Sequence, residues 1–320
     1  QNGLDRVRVG DICDHPQCTY LEEIKSVSII IRKAGKLIIV FGFICIGLIS
    51  HAQVTFDSDI VYGHKDGMAL VYDVLQPENA NGAAIVFMMS GGWYSSWAPP
   101  ENRARQFADM LDAGFTMIPV YHGSAPRYHI PDAYSDVSRA IRHIKMNAER
   151  YGIDSERIGV TGGSAGGHLA LMAGLDSDSG MIDDSDEVMQ IGNSVAAVVA
   201  YFPPVEFREA ESAAVGIVNA VSQEELLGRF PALDFDEELI PSVAPILFVD
   251  AGDPPTLLVH GDADPLVNVT HSYAIKKQFE NHQVESELIV IPGAEHGFRG
   301  EDAILANNAR LAWFQKHLLD

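Results

Sequence analysis

Cysteine is almost missing from this chain: three occur in 320 residues, at Cys13, Cys18 and Cys45, and none follows position 45. Most of the chain therefore has no disulfide, no thiolate nucleophile and no thiolate metal site. Cations are scarce too, with 22 Lys and Arg against 44 Asp and Glu and a formal net charge of −22. Residues 53–320 keep 16 of the cations and 39 of the acids, a net charge near −23. Such a surface repels nucleic acid, anionic lipid and polyanionic substrates, so none of these is expected as a partner. Methionine is absent before Met68, and no internal repeat or dividing linker is visible after residue 53. Histidines and carboxylates nowhere fall at metal-ligand spacing, and neither metal nor organic cofactor is expected.

Long apolar runs are also missing, with one exception. Residues 37–49 form a stretch of 13, LIIVFGFICIGLI, too short for an ordinary membrane span. It follows the basic Arg32-Lys-Ala-Gly-Lys36 and precedes Ser50-His-Ala52, a small-x-small cleavage pattern. Residues 1–52 are thus expected to be an upstream extension followed by a cleavable export signal, and 53–320 the working domain. The expected location is the periplasm or the medium, with no stable membrane association after processing. A Cys13–Cys18 disulfide or metal pair would be lost with that segment.

What is present after residue 53 is an alternation of short apolar runs and helical patterns. Ile60–Val74 reads as an edge hairpin around Lys65-Asp-Gly67, and 83–89 as a strand buried on both faces. A helix is expected from about Glu101 to Gly114, then a strand over 115–121 whose Pro119 argues against a central place. Pro131 opens a helix with Ala133, Val137, Ala140, Ile141, Ile144 and Ala148 on one face. Strands at 158–160, 195–201, 256–260 and 287–291 follow, which predicts an α/β fold with a doubly wound, mostly parallel sheet of about eight strands. Residues 176–193 read as a solvated loop, and 202–249 as a small lid insertion.

The chemistry-bearing stretch is Arg157-Ile-Gly-Val-Thr-Gly-Gly-Ser-Ala-Gly-Gly-His168. Gly162, Ser164 and Gly166 fit G-x-S-x-G between a strand and a helix, a sharp turn that presents a serine oxygen at the sheet edge. A serine hydroxyl needs a base to take its proton and a carboxylate to orient that base. His296, in Pro292-Gly-Ala-Glu-His-Gly297, follows the last strand. Either Asp262 or Asp264 can supply the carboxylate from the loop after His260. The amide of Ala165 and those of Ser90-Gly-Gly-Trp93 are candidate oxyanion donors. Trp93, Tyr94, Trp97 and Tyr128 lie on two loops expected to flank the serine; they would either wall an acyl or aryl pocket or simply pack beneath the loops.

With these motifs in this order the chain resembles the α/β-hydrolase fold, in particular the hormone-sensitive-lipase-like carboxylesterases and the related feruloyl and acetyl-xylan esterase-like enzymes. The resemblance implies Ser164 as nucleophile, Asp264 as acid, His296 as base, and amides of Gly91, Gly92 and Ala165 as the oxyanion hole. It implies a serine carboxylesterase acting on short-chain or carbohydrate- or aryl-linked esters. Two departures concern the substrate side: Ser90 stands where relatives have histidine, and Tyr121-His-Gly-Ser-Ala-Pro126 lacks their arginine. Other readings are an amide hydrolase, arylformamidase-like or prolyl-oligopeptidase-like, and a non-catalytic binding protein on a hydrolase scaffold.

Overall fold

The computed structural model describes residues 27–33, 36–42, 53–208 and 223–319. They fall into two units divided after Ser50. In the first, β1 (Val27–Lys33) and β2 (Lys36–Gly42) pair antiparallel, Val27 opposite Gly42. The strand β2 takes in the start of the apolar run expected as an export signal. The rest of that run, the Ser50–Ala52 pattern and all three cysteines lie outside the described residues. No helix among the described residues is long and apolar enough to cross a membrane.

The second unit is built on one eight-stranded sheet. Its edge is the hairpin of β3 (Val54–Lys65) and β4 (Met68–Pro77). Asp66 and Gly67 turn it with φ of 49° and 80°, a pair of left-handed residues whose twist suits the flanking strands. The remaining strands are β5 (Ala84–Met88), β6 (Thr116–Tyr121), β7 (Ile158–Gly163), β8 (Ala197–Tyr201), β9 (Thr256–Gly261) and β10 (Ser286–Ile291). Their order is β3-β4-β6-β5-β7-β8-β9-β10, antiparallel as far as β6 and parallel from there on.

Successive side chains of a strand point to opposite faces, and here both faces are apolar. Ile85, Met117, Val199 and Leu257 meet Phe107, Met110, Trp313 and Phe314 on one side, from the Phe107 joint between α1 (Pro100–Gln106) and α2 (Ala108–Asp112), from α2 itself, and from the C-terminal helix Gly300–Leu318. Val86, Ile118, Val198 and Leu258 meet Val137, Ile141, Leu169, Ile275 and Phe279 on the other. Those come from α3 (Ile130–Met146), α4 (Ala165–Leu175) and the helix Thr270–His282. The apolar face read for α3 is the buried one, and Asp132 accepts from the His129 amide at its start, 3.1 Å.

Two local expectations need correction. The helix from Glu101 is two short helices, because Phe107 leaves helical geometry (φ −109°, ψ 19°) to sink its ring against Phe87, 4.9 Å between centroids. Pro119 does not keep β6 at the margin: β6 lies third in the sheet. Its pairing with β4 skips from Tyr72–Val120 to Leu75–Met117, so the missing Pro119 N–H falls in a gap of that ladder.

In a parallel sheet every strand ends at the same edge, and there the chain gathers its motifs. β5 runs into Ser90–Trp93, β7 into Ser164, β8 into Phe202, β9 into Asp262–Asp264 and β10 into His296. In the 202–249 insertion the described part holds a helix, Gln223–Arg229, and short 3-10 turns at Pro231–Leu233, Glu237–Val243 and Pro245–Leu247. Residues 209–222 lie outside the described ones.

Candidate active site

Ser164 sits between β7 and α4 with φ 55° and ψ −122°, a conformation costing a non-glycine residue about 1–3 kcal/mol. Glycines make it reachable. A Cβ on Gly162 would lie 2.5 Å from the Gly166 carbonyl carbon, and one on Gly166 would lie 2.7 Å from the Met88 carbonyl oxygen. The turn is held by the Ser164 amide donating to the Tyr201 carbonyl and by the His168 amide donating to the Ser164 carbonyl, both 2.9 Å.

His296 Nε2 lies 2.9 Å from Ser164 Oγ, and its Nδ1 lies 2.7 Å from Asp264 Oδ2. The three residues are separated by up to 132 positions and meet at one point. With Nδ1 protonated toward the carboxylate, Nε2 is left as an acceptor for the serine proton. Burial works to raise the Asp264 carboxyl, but hydrogen bonds from His260, His296 and the amides of Val267 and Leu266 outweigh it. The group is held well below the ordinary range and stays ionised. Asp262 has a different task. Its Oδ1 accepts from the Gly293 amide at 2.6 Å, tying the acid loop to the histidine loop. The same closeness shows at Gly261, where a Cβ would meet the Ala294 carbonyl oxygen at 2.1 Å.

The oxyanion side departs from expectation. Gly91 and Tyr94 form a two-residue hairpin, each amide donating to the other's carbonyl at 3.0 Å. The Gly91 N–H is therefore spent on the turn and not offered to substrate, which corrects its expected role. Gly92 and Trp93, at φ 57° and 59°, are the turn's centre, and their amides have no partner among the described residues. The Ala165 amide, first in α4, is likewise free because a helix leaves its first N–H groups unpaired. Gly92, Ala165 and Trp93, the last within the Ser90–Trp93 loop but not among the donors the resemblance implied, are the available donors.

Ser164 opens into a small pocket lined by Gly92 and Trp93, by Pro204, Phe230 and Leu233 from the insertion, and by Leu266 and Val267 from the acid loop. Of the four aromatics expected at the substrate, only Trp93 is in that lining. Tyr94 and Trp97 are exposed, on a loop drawn toward α1 where Arg103 donates to the Ser96 carbonyl at 2.6 Å. Tyr128 is buried, donates to Asp66 at 3.0 Å and lies against Gly123. Among the described residues no group of three or more His, Cys, Asp or Glu is placed to hold a metal ion.

The BD-FAE family profile matches residues 72–279, about two thirds of the chain. The chain belongs to the BD-FAE family. The match takes in Ser164 and Asp264 and ends before His296, which the structure brings to them. Esterase LipQ of Mycobacterium tuberculosis is 26% identical over 75% of this chain and 57% of its own length. The chain thus spans just over half the length of the first curated relatives it matches. Ethyl acetate hydrolase of Pseudomonas putida is 26% identical over 78% of this chain and 77% of its own. A carbohydrate esterase from gut microbiota superposes with a TM-score of 0.68 at 25% identity, covering 85% of this chain and 99% of that one. This BD-FAE member has the α/β-hydrolase fold.

Several residues of the site carried no sequence signal of their role. His260, fully buried, has Nε2 2.8 Å from the Val267 carbonyl and 3.4 Å from Asp264 Oδ2, while its Nδ1 meets Ser272 Oγ at 2.7 Å. It bears on the carboxylate oxygen that His296 uses. Phe202, at φ 37°, lays its ring 4.6 Å from that of His296. A histidine ending a strand and a phenylalanine after one look like ordinary core residues in one dimension.

Proposed function

We propose that this chain is a serine carboxylesterase that hydrolyses short-chain or carbohydrate- or aryl-linked esters through an acyl-enzyme. Ser164 Oγ attacks the ester carbonyl carbon while His296 Nε2 takes the hydroxyl proton, and Asp264 stabilises the imidazolium that forms. The carbonyl oxygen, now negative, is met by the amides of Gly92, Trp93 and Ala165, each donor contributing on the order of 10²-fold or more in rate. His296 returns the proton to the departing alkoxide. Water then enters, gives a proton to His296 Nε2 and attacks the acyl carbon; the bond from that carbon to Ser164 Oγ breaks, His296 returns the proton to Oγ, and the carboxylic acid leaves.

The observation that carries this reading is the unbroken chain Ser164–His296–Asp264, at 2.9 and 2.7 Å. The apolar pocket supports a small acyl group, and relatives that are an esterase, an ethyl acetate hydrolase and a carbohydrate esterase support ester substrates. The test is turnover of p-nitrophenyl acetate, with Ser164→Ala expected to lower kcat by at least about 10⁴-fold. A variant as fast as the parent overturns the mechanism, and faster cleavage of the matching anilide moves the reading to amide hydrolysis.

Export through residues 32–52 is a second part of the proposal. It is supported by the basic Arg32–Lys36, the apolar 37–49 and Ser50-His-Ala52. Protein recovered outside the cytoplasm should begin at Gln53, and an amino terminus ahead of Arg32 there would refute it.

A further inference from the structure

The oxyanion turn holds a strained residue that its chemistry alone does not call for. Gly92 adopts φ 57° without cost, but Trp93 keeps φ 59° with a full side chain, at a cost of about 1–2 kcal/mol. Glycine is the usual choice at the second centre of such a turn. What holds Trp93 there is its indole. The side chain is buried, and a buried Nε1–H needs an acceptor, which is His168 Nδ1 at 3.3 Å. Accepting through Nδ1 puts the ring proton on Nε2, which donates to the Val243 carbonyl at 2.7 Å. Burial pushes this imidazole down to about 4, so it is neutral under ordinary conditions. Phe207 packs edge-on to His168 at 5.3 Å and tilted against Trp93 at 5.9 Å. His168 also lies one helical turn after Ser164, to whose carbonyl its amide donates. One ring thus joins the oxyanion turn, the nucleophile's helix and the Glu237–Val243 turn of the insertion.

We propose that His168 is a positioning residue for the oxyanion hole: accepting from the Trp93 indole and donating to Val243, it holds the Gly92 and Trp93 amides in register with Ser164. The inference rests on the esterase reading, since an oxyanion must form for the register to matter. It departs from the simpler view of a satisfied core histidine that serves stability alone.

The two views separate on kcat against KM. Trp93→Phe keeps the aromatic bulk and removes the donor, whereas His168→Leu removes both ring nitrogens. His168→Asn leaves an amide oxygen near the place of Nδ1 and so preserves the acceptor. With p-nitrophenyl acetate, and rates normalised to sites titrated by a fluorophosphonate, Trp93→Phe and His168→Leu should each lower kcat about 10- to 100-fold. KM should stay within about threefold, because the misplaced amides act on the transition state. His168→Asn should recover most of what His168→Leu loses. The double variant Trp93→Phe, His168→Leu should be no slower than the slower single, because the bond that Trp93→Phe removes is already lost in His168→Leu.

If both single variants keep kcat within about threefold while the melting temperature drops, His168 is a core histidine and the proposal fails. Multiplying losses in the double variant overturn it as well. A parent protein that turns over no ester defeats the esterase reading itself, and this inference with it. A parent that is active beside unaffected variants defeats the inference alone.

Discussion

Asp262 and Asp264 are two positions apart on one loop, and charge, size and sequence context hardly distinguish them. Their surroundings do. Asp264 is sunk beneath His296 with two amides and His260 on its oxygens, whereas exposed Asp262 pins the Gly293 amide. Neutralising the first removes the group that fixes the tautomer of the base; neutralising the second loosens a loop. Asp264→Asn should therefore lower kcat by on the order of 10³- to 10⁴-fold, and Asp262→Asn only a few-fold, read from steady-state rates on one ester. The reverse order would move the acid to Asp262. Ser164, Asp264 and His296 were legible in the sequence, the first and last from motif and order and the second through the family resemblance. Gly91 was misread because a glycine needed to close a turn looks the same as a glycine needed to expose an amide.

At the scale of elements, the pocket is made by segments with no regular pattern. Phe230 and Leu233 come from the short turns that follow the helix Gln223–Arg229, and Phe230 lies against Gly92, where an added Cβ would meet its ring at 3.3 Å. The ring thus occupies space beside the oxyanion turn that a longer acyl chain would need. Phe230→Ala should raise the ratio of kcat/KM for a hexanoyl over an acetyl ester by about tenfold or more, since each methylene admitted to an apolar pocket is worth about 1–3 kcal/mol. An unchanged ratio would place the acyl chain elsewhere. Strands and long helices were readable because their periodicity reflects the core they cover. Phe107 and Pro119 were not, since each follows a demand from a neighbour: a ring that needs Phe87, and a gap in the ladder with β4.

For the whole molecule, the buried histidines set an acid limit. His122, His168 and His271 are buried, and desolvation pushes them down from 6.5 to about 4, about 4 and about 3. The unfolded chain therefore takes up their protons first, near pH 6.5, while the folded chain takes them up only near pH 4 or below. Between those limits stability falls as pH falls, by about 1.4 kcal/mol per pH unit for each ring and about 4 for the three. Urea unfolding at pH 7 and pH 5.5 should show that loss. Equal stability at the two values would mean that these rings are protonated in the folded state or never desolvated.

By itself the sequence determined the layered α/β architecture, the elbow at Ser164 and the downstream order of acid and histidine. These depend on local periodicity, on glycines required by short backbone contacts, and on chain order, all of which are written in one dimension. Only the tertiary structure decided which amides remain free in the Gly91–Tyr94 turn, which aspartate lies under His296, that Tyr94, Trp97 and Tyr128 stand away from the pocket, and that His168 and His260 back the site. Those outcomes depend on which groups from distant segments reach the same few ångströms, where hydrogen-bond partners and burial are assigned by competition among neighbours that no local pattern records.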